Sequence, residues 1–248
     1  MRRAAVIGDI HGKDDVLQSL IDNIRFKFGD EIDLYSVGDL IDRGEGSKNV
    51  IDICIRNNIL GILGNHDVWL RELTVSGEFD DFALHAMMGG KSTLRSYGCT
   101  WDHAKYAEKI EREMKARIPR DHVSFLSSLP LWRSIDVEGQ KYILTHAGLQ
   151  TKFCEFYGSS QMSDEVLLST ISANNPQCLL WSFPDFHRSD CLMTLKTSTQ
   201  IFGHSVVRDG PIDGGHFIAI DTGCGTAPPF TLTAVILPER EFVSVTHI

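Results

Sequence analysis

Short apolar runs alternate with amphipathic segments over the first 64 residues of this 248-residue chain. An unbroken apolar run of about four to eight residues is typical of a buried strand, and apolar positions three and four apart are typical of a helix. The pattern predicts strands at 4–7, 32–37 and 59–63, with helices over 16–24 and 50–55 between them. Because single helices separate successive strands, we expect a mostly parallel sheet.

The rest of the chain changes character twice. From Val68 to Ser128 the pattern is helical and more charged, which predicts a helical cap inserted into an α/β fold. The stretch from 151 to 198 has no clear period and predicts a loop-rich excursion. No linker rich in glycine, serine or proline divides the chain, so we expect a single domain over 1–248 with its insertion at 68–128. Further strands are predicted at 131–137, 141–145, 200–202, 216–220, 230–236 and 242–245.

Composition and charge narrow the classes of partner. The chain has 24 Lys and Arg against 33 Asp and Glu, a net charge of -9. A protein that mainly binds a nucleic-acid backbone needs a basic surface, so this balance argues against a nucleic-acid partner. No apolar segment has the length of a signal peptide or a membrane span, and the six cysteines form no CxxC pair. We therefore expect a cytoplasmic protein with reduced thiols and no membrane partner.

Residue types that bind metals follow five strand-like runs. A single Gly-Asp pair or a single histidine after a strand is usually structural, but five in equivalent positions point to one site. In an open α/β sheet the carboxyl ends of the strands meet at one edge, where ligands bind. The five segments read Gly8-Asp9-Ile10-His11-Gly12, Gly38-Asp39-Leu40-Ile41-Asp42-Arg43-Gly44, Gly64-Asn65-His66-Asp67, Thr145-His146-Ala147-Gly148 and Phe202-Gly203-His204.

These ordered segments resemble the motifs of the calcineurin-like metallophosphoesterases, in particular the phosphoprotein phosphatase branch, and they extend from residue 8 to residue 204. The resemblance implies an α/β fold of four layers, an α-β-β-α sandwich. It also implies two metal sites, which share one bridging ligand. Carried over residue by residue, the first metal is bound by Asp9 and His11, the second by Asn65, His146 and His204, and both by Asp39.

The chemistry of this ligand set is consistent with that assignment. Oxygen and imidazole ligands without thiolate suit two divalent ions, for which we expect manganese, with iron and zinc as alternatives. Two cations about 3.5 to 4 Å apart would hold a phosphoryl group and lower the pKa of a shared water near to neutrality. A bridging hydroxide could then attack phosphorus in line with the leaving oxygen, and no serine or cysteine nucleophile is needed.

The leaving oxygen still needs a proton and the phosphate a counter-charge. His66 is the candidate general acid, and Asp42 is the candidate partner that keeps it protonated. Arg43 would present a planar guanidinium to the phosphate oxygens, and Asn65 is expected to bind the phosphate as well. The resemblance also implies a second phosphate-binding arginine after the fourth motif. Arg188 is the better match, with Arg208 as the competitor.

Two substrate classes remain open, and the residues favour the first. A phosphoprotein phosphatase acting on phosphoserine and phosphothreonine, with phosphotyrosine as a further substrate to test, fits the complete Asp42 and Arg43 pair. A symmetrical bis(5'-nucleosyl)-tetraphosphatase is suggested by Asp67, where most protein phosphatases carry glutamate, although those hydrolases tend to lack the acid at Asp42. A metal-free binding module that keeps only the fold is the alternative from another class, and the complete ligand set argues against it.

Overall fold

Two five-stranded sheets lie face to face in the computed structural model, which describes residues 2–152, 157, 162–185, 192–226 and 228–247. The strands are β1 (Ala4–Ile7), β2 (Asp33–Ser36), β3 (Leu60–Gly61), β4 (Trp132–Val137), β5 (Gln140–Thr145), β6 (Ser198–Phe202), β7 (Ile212–Asp213), β8 (Phe217–Ala219), β9 (Phe230–Leu237) and β10 (Glu241–His247). The first sheet has the order β10-β9-β1-β2-β3, and the second has the order β4-β5-β6-β8-β7.

Eight α-helices are present in the described residues. They are α1 (Asp14–Phe28), α2 (Ser47–Arg56), α3 (Val68–Val75), α4 (Gly90–Ser96), α5 (Ala107–Arg117), α6 (Arg120–Ser128), α7 (Asp164–Asn174) and α8 (Gln177–Trp181). Short 3-10 turns cover Asp81–Leu84 and Ala104–Tyr106. No helix among the described residues is both long enough and apolar enough to cross a membrane.

The alternation of side chains along β1 explains the layers. Val6 packs between the two sheets with Leu144 of β5, whereas Ile7 belongs to the core under α1 and α2. Successive residues of a strand point to opposite faces, so every central strand contributes to two cores. In β5 the neighbouring Ile143 packs on the outer side against Leu168 of α7. Helices therefore cover the outer face of each sheet, and the four-layer sandwich is confirmed.

Residues 68–128 form α3 to α6 and the two 3-10 turns, without a strand. Their buried side chains share one core with α1 and α2, and α2 packs against both α4 and α6. The insertion extends the helical layer of the first sheet.

Three details differ from the sequence-based expectations. The first sheet is only half parallel, because β9 pairs antiparallel with β1 and with β10. The strand predicted at 59–63 is shorter, since the Leu63 amide donates to Pro130 O instead of continuing the ladder. The stretch from 151 to 198 is not simply loop-rich. It contains α7 and α8, separated by the Asn175-Pro176 break that interrupts the apolar pattern.

Candidate metal centre

The five motif segments meet where the carboxyl ends of strands from both sheets come together. β1, β2 and β3 of the first sheet lead into the first three segments, and β5 and β6 of the second sheet lead into the last two. Ligand atoms of His11, Asp39 and His66 lie within 4.8 Å of one another, as do those of Asp39, His146 and His204. Asp39 belongs to both trios, which is the position expected of a bridging ligand.

The backbone of these segments is strained at the functional side chains. Left-handed φ angles occur at eight non-glycine residues in the described chain, and five of them belong to the motifs. Such conformations cost about 1 to 3 kcal/mol each and persist only where the surrounding structure enforces them. The five are His11 (φ 49°), Asp39 (51°), Asp42 (73°), Arg43 (66°) and His204 (62°).

Two glycines let carboxylates approach the backbone closely. A Cβ on Gly203 would lie 1.9 Å from Asp9 Oδ1, and a Cβ on Gly64 would lie 2.2 Å from Asp39 Oδ1. Real Cβ atoms do not reach these distances, so both positions require glycine. Each glycine belongs to a different strand end from the carboxylate it contacts, and the segments are therefore fitted to one another.

Two of the candidate ligand histidines are oriented by main-chain carbonyls. His11 Nδ1 lies 3.1 Å from Ile41 O, and His146 Nδ1 lies 2.9 Å from Val37 O. A donated Nδ1–H leaves Nε2 to bind the metal, which is the arrangement that metal-binding histidines usually have. Burial would lower the pKa of His146, but the carboxylates of Asp39 and Asp9 outweigh it and raise that pKa to about 10, so metal binding there would displace a proton. Both Nε2 atoms face Asp39, at 3.5 Å from Oδ2 for His11 and 3.3 Å from Oδ1 for His146.

Asn65 and Asp9 complete the predicted ligand set in different ways. Asn65 is buried, and its Oδ1 lies 2.7 Å from His146 Nε2. Asp9 Oδ2 accepts a 3.0 Å hydrogen bond from the His204 amide, so this carboxylate lies beside the trio of Asp39, His146 and His204. In the other trio, His66 accompanies His11 and Asp39 in the place predicted for Asp9.

The residues present fit a bound cation. Asp9 Oδ1 and His204 Nε2 are buried and have no hydrogen-bond partner. Buried polar atoms are nearly always paired in proteins, so two unpaired acceptor atoms beside Asp39 mark a place for a positively charged ligand. The oxygen and imidazole donors match the preferences of manganese, iron or zinc.

Burial and neighbouring charges set the protonation of the centre. Burial, with the nearby Asp221, raises the pKa of Asp9. Burial would also raise the pKa of Asp39, but the imidazoles of His146 and His66 outweigh it and lower that pKa well below its ordinary value. Burial lowers the pKa of His204 to about 3, which keeps its imidazole neutral and able to bind a metal.

His66 and Asp42 are in contact, as predicted for an acid and its partner. His66 Nδ1 lies 3.0 Å from Asp42 Oδ2, and both side chains are buried. The same carboxylate accepts hydrogen bonds from Trp69 Nε1 at 3.1 Å and from Thr93 Oγ1 at 2.7 Å. Burial raises the pKa of Asp42, and these hydrogen bonds partly oppose that rise. Because Asp42 holds Nδ1, the Nε2 atom of His66 faces Asp39.

Arg43 lies over the same site. Its guanidinium nitrogens are 2.7 Å from His11 Nε2 and 3.1 Å from His66 Nε2, so the side chain spans the two imidazoles. A guanidinium in this position can donate to the oxygens of a phosphate bound between them. The second arginine is not resolved by geometry, since Arg188 lies outside the described residues and Arg208 is exposed on the turn after His204.

Sequence reasoning did not identify three residues that position the site. Trp69 and Thr93, from α3 and α4 of the insertion, hold Asp42 and carry no recognisable motif. Asp67 is fully buried and accepts hydrogen bonds from the amides of Leu40 and Gly64, both at 2.9 Å, which joins the second and third segments. Its place directly after His66 was the available signal.

Comparison with known proteins agrees with this geometry. The family model of the calcineurin-like phosphoesterases matches residues 2–208, and the chain belongs to that family. The expected metallophosphoesterase resemblance is therefore confirmed.

Several of the matched relatives cover nearly the whole chain. The symmetrical bis(5'-nucleosyl)-tetraphosphatase of Coxiella burnetii is 25% identical over 98% of this chain and 91% of its own length. The asymmetrical bis(5'-nucleosyl)-tetraphosphatase PrpE of Halalkalibacterium halodurans is 29% identical over 97% and 92%.

Solved structures show the same fold in proteins with different names. A putative diadenosine tetraphosphatase has a TM-score of 0.61 and 22% identity, and covers 100% of this chain and 94% of that protein. A serine/threonine phosphatase from Saccharomyces cerevisiae has a TM-score of 0.51 and 15% identity, and covers 99% and 79%. This chain is therefore a metallophosphoesterase by family and by fold.

Proposed function

We propose that this protein hydrolyses a phosphoester bond with two divalent cations held by Asp39, the three histidines His11, His146 and His204, and the oxygens of Asp9 and Asn65. The observation that carries the proposal is the buried pair of His66 and Asp42 facing Asp39. When bound, the cations would act as Lewis acids on the phosphoryl oxygens and would activate water.

The chain's own residues account for the remaining steps. Arg43 binds the phosphate oxygens and orients the ester from its position across His11 and His66. Once the Arg43 guanidinium binds the phosphate instead of His66 Nε2, protonated His66 donates a proton from Nε2 to the leaving oxygen, and Asp42 stabilises the imidazolium through Nδ1–H. Trp69 and Thr93 hold the Asp42 carboxylate, so the imidazole stays in one orientation.

The substrate class that we propose is the dinucleoside tetraphosphates. Relatives that match this chain over nearly its whole length carry that name, in both the symmetrical and the asymmetrical form. Products distinguish the two forms, since symmetrical cleavage of diadenosine tetraphosphate yields two ADP and asymmetrical cleavage yields ATP and AMP.

Phosphoprotein is the second candidate, and the acid pair favours it. A serine alkoxide is a poor leaving group and needs a proton, whereas a nucleotide leaves with much less help. A buried general acid such as His66 is therefore most useful for a phosphomonoester of serine or threonine.

A substrate panel tests both classes. Manganese-loaded protein is incubated with diadenosine tetraphosphate, a phosphoserine peptide and a phosphotyrosine peptide, and the products are separated by chromatography. We expect the dinucleotide to have the highest kcat/KM. Faster turnover of phosphoserine peptide would reverse the order of the two candidates, and no turnover with bound metal would contradict the hydrolase itself.

The role of His66 has its own test. The variant His66→Asn is compared on phenyl phosphate and p-nitrophenyl phosphate, whose leaving groups need a proton to different degrees. We expect kcat to fall by about 10²- to 10⁴-fold on phenyl phosphate and much less on p-nitrophenyl phosphate. His247→Asn, at an exposed position of β10, is the matched control. An equal loss on both esters would contradict the general-acid role.

A further inference from the structure

Three large aromatic side chains remain exposed beside the candidate metal centre. Trp181 ends α8 and Phe183 follows that helix, and their rings lie 5.9 Å and 4.3 Å from the ring of His204. Phe82 of the insertion lies 6.5 Å from Trp181, so a row of rings leads from the centre onto the helical layer. Phe82, Trp181 and Phe183 are 44%, 37% and 63% exposed. Apolar side chains grouped at a surface mark a binding site more often than isolated ones do.

Phe82 is held at a fixed position relative to the catalytic arginine. Its amide donates to Asp80 Oδ1 at 3.0 Å, which caps the 3-10 turn. At the end of that turn His85 O accepts from the Gly89 amide at 3.1 Å, and Gly89 O accepts from the Arg43 amide at 3.3 Å. The exposed ring is therefore linked to Arg43 by two short steps of main-chain hydrogen bonding.

A cavity of about 400 Å³ lies next to Phe82. One wall is aromatic, because the rings of Phe82 and His85 stack at 5.6 Å with an interplanar angle of 16°. The lining also includes Lys91 and Asp102, whose charged atoms are 3.9 Å apart. A flat aromatic wall with one cationic donor and one carboxylate acceptor suits a planar heterocycle that has both ring nitrogens and an amino group.

We propose that this cavity binds one nucleobase of a dinucleoside tetraphosphate, stacked on Phe82, while the phosphates lie at Arg43. The inference rests on the proposed tetraphosphatase activity. The row of rings from His204 to Phe82 gives the path along which the polyphosphate and ribose would run. Stacking on an aromatic side chain is tolerant of the base and supplies binding rather than chemistry.

Phe82 is the residue to change, because it does not touch His204 as Trp181 and Phe183 do. KM and kcat are measured for diadenosine tetraphosphate and for p-nitrophenyl phosphate, which has no base, on metal-loaded protein. In Phe82→Ala we expect the ratio of the two KM values to rise about tenfold, the usual effect of losing one stacked base, with kcat on the dinucleotide within about twofold. Phe82→Tyr keeps the ring and should restore the ratio.

The control is Phe26→Ala, which removes a ring that is 94% exposed on α1. An unchanged KM ratio in Phe82→Ala, with the wild type cleaving the dinucleotide, would overturn the base site and leave the proposed function standing. A wild type that cleaves phosphopeptides and not the dinucleotide would overturn both. A higher KM for phosphoserine peptide alone would assign the cavity to a peptide side chain and would also contradict the proposal.

Discussion

Asp39 and Asp164 are equally buried carboxylates, each 2% exposed, yet they lie in regions of opposite character. Asp164 begins α7, and its oxygens accept hydrogen bonds from the amides of Lys196 and Thr197 and from the hydroxyls of Thr197 and Ser198, all between 2.8 and 3.0 Å. Asp39 has a left-handed backbone, accepts one amide from His66 and otherwise faces imidazoles.

The two carboxylates differ in their hydrogen-bonding and charged partners and not in their burial. Main-chain and hydroxyl donors satisfy Asp164 permanently, so this carboxylate ties the start of α7 to the segment before β6. Asp39 faces groups that can exchange a proton for a metal, in a backbone that is strained to present it. A buried acid surrounded by titratable side chains is a candidate for function, whereas one surrounded by amides is a structural tie.

The largest expected effect comes from Asp39→Asn. A neutral amide in place of the shared carboxylate removes the negative charge and one of the two oxygens that face the two trios, so metal affinity should fall by more than the roughly 10- to 100-fold that outer-shell changes cost. Metal content by elemental analysis is the measurement, with activity as the second readout. Asp33→Asn is the control, because Asp33 lies on the strand β2 that leads to Asp39 but forms an exposed ion pair with Arg2, and this variant should keep its metal. Full metal occupancy in Asp39→Asn would contradict the bridging assignment.

The second largest effect is expected from Gly203→Ala, which disrupts the close packing of two strand ends. The new Cβ would collide with Asp9 Oδ1 and would also lie 2.9 Å from Val37 Cγ2, so either the loop of His204 or the carboxylate must move. We expect a loss of about 1 to 3 kcal/mol in unfolding free energy together with reduced metal content.

Gly29→Ala separates the two costs of replacing a glycine. Gly29 has a φ of 91° with no atom within 4 Å of the new Cβ, so it carries the backbone cost without the collision. It should lose stability by about 1 kcal/mol and keep its metal. If Gly203→Ala retained metal as Gly29→Ala does, the close packing of the strand ends would not matter for the centre.

A smaller effect is expected from Thr93→Val, which removes two hydrogen bonds to Asp42 at nearly constant volume. The Thr93 hydroxyl donates one of them to Asp42 Oδ1 and accepts the other from the Asp42 amide. Bonds to charged groups contribute about 1.5 to 3 kcal/mol, so kcat on phenyl phosphate should fall about tenfold or more. The loss on p-nitrophenyl phosphate should be smaller, which a merely structural role of Thr93 would not produce. Thr170→Val, on the exposed face of α7, is the control.

The sequence predicted which residues gather at the candidate metal centre better than it predicted their surroundings, and particular residues explain why. Asp9, His11, Asp39 and His146 follow strands whose apolar runs are easy to recognise, and the glycines beside them report tight backbone approach. The antiparallel half of the first sheet was missed because β9 comes from the end of the chain, and pairing between distant segments leaves no local periodicity.

The residues that support the pair of His66 and Asp42 could not be predicted for a related reason. Trp69 and Thr93 reach Asp42 only because α3 and α4 pack beside the second segment, and their spacing looks like that of any apolar helix face. The same holds for Phe82, whose ring is conspicuous through its exposure and not through a motif. Chemistry that depends on strand ends is visible in the sequence, whereas contacts made by the insertion appear only in the fold.

The smallest effect on catalysis is expected from Asp164→Asn. Burial would raise the pKa of Asp164, but the hydrogen bonds from residues 196–198 outweigh it and lower that pKa. The folded state therefore binds the proton less readily than the unfolded chain, so the ionised carboxylate stabilises the fold above the ordinary pKa of about 4 and this contribution disappears as pH falls through the lowered value.

At pH 7 the variant should lose about 1 to 2 kcal/mol in unfolding free energy, measured by denaturant titration, with kcat and metal content unchanged. The difference between wild type and variant should shrink below about pH 4. Asp209→Asn, at an exposed position, is the matched control and should keep its kcat and metal content. A loss of metal in Asp164→Asn would erase the distinction between the two buried carboxylates, because it would show that the structural tie at α7 also controls the centre.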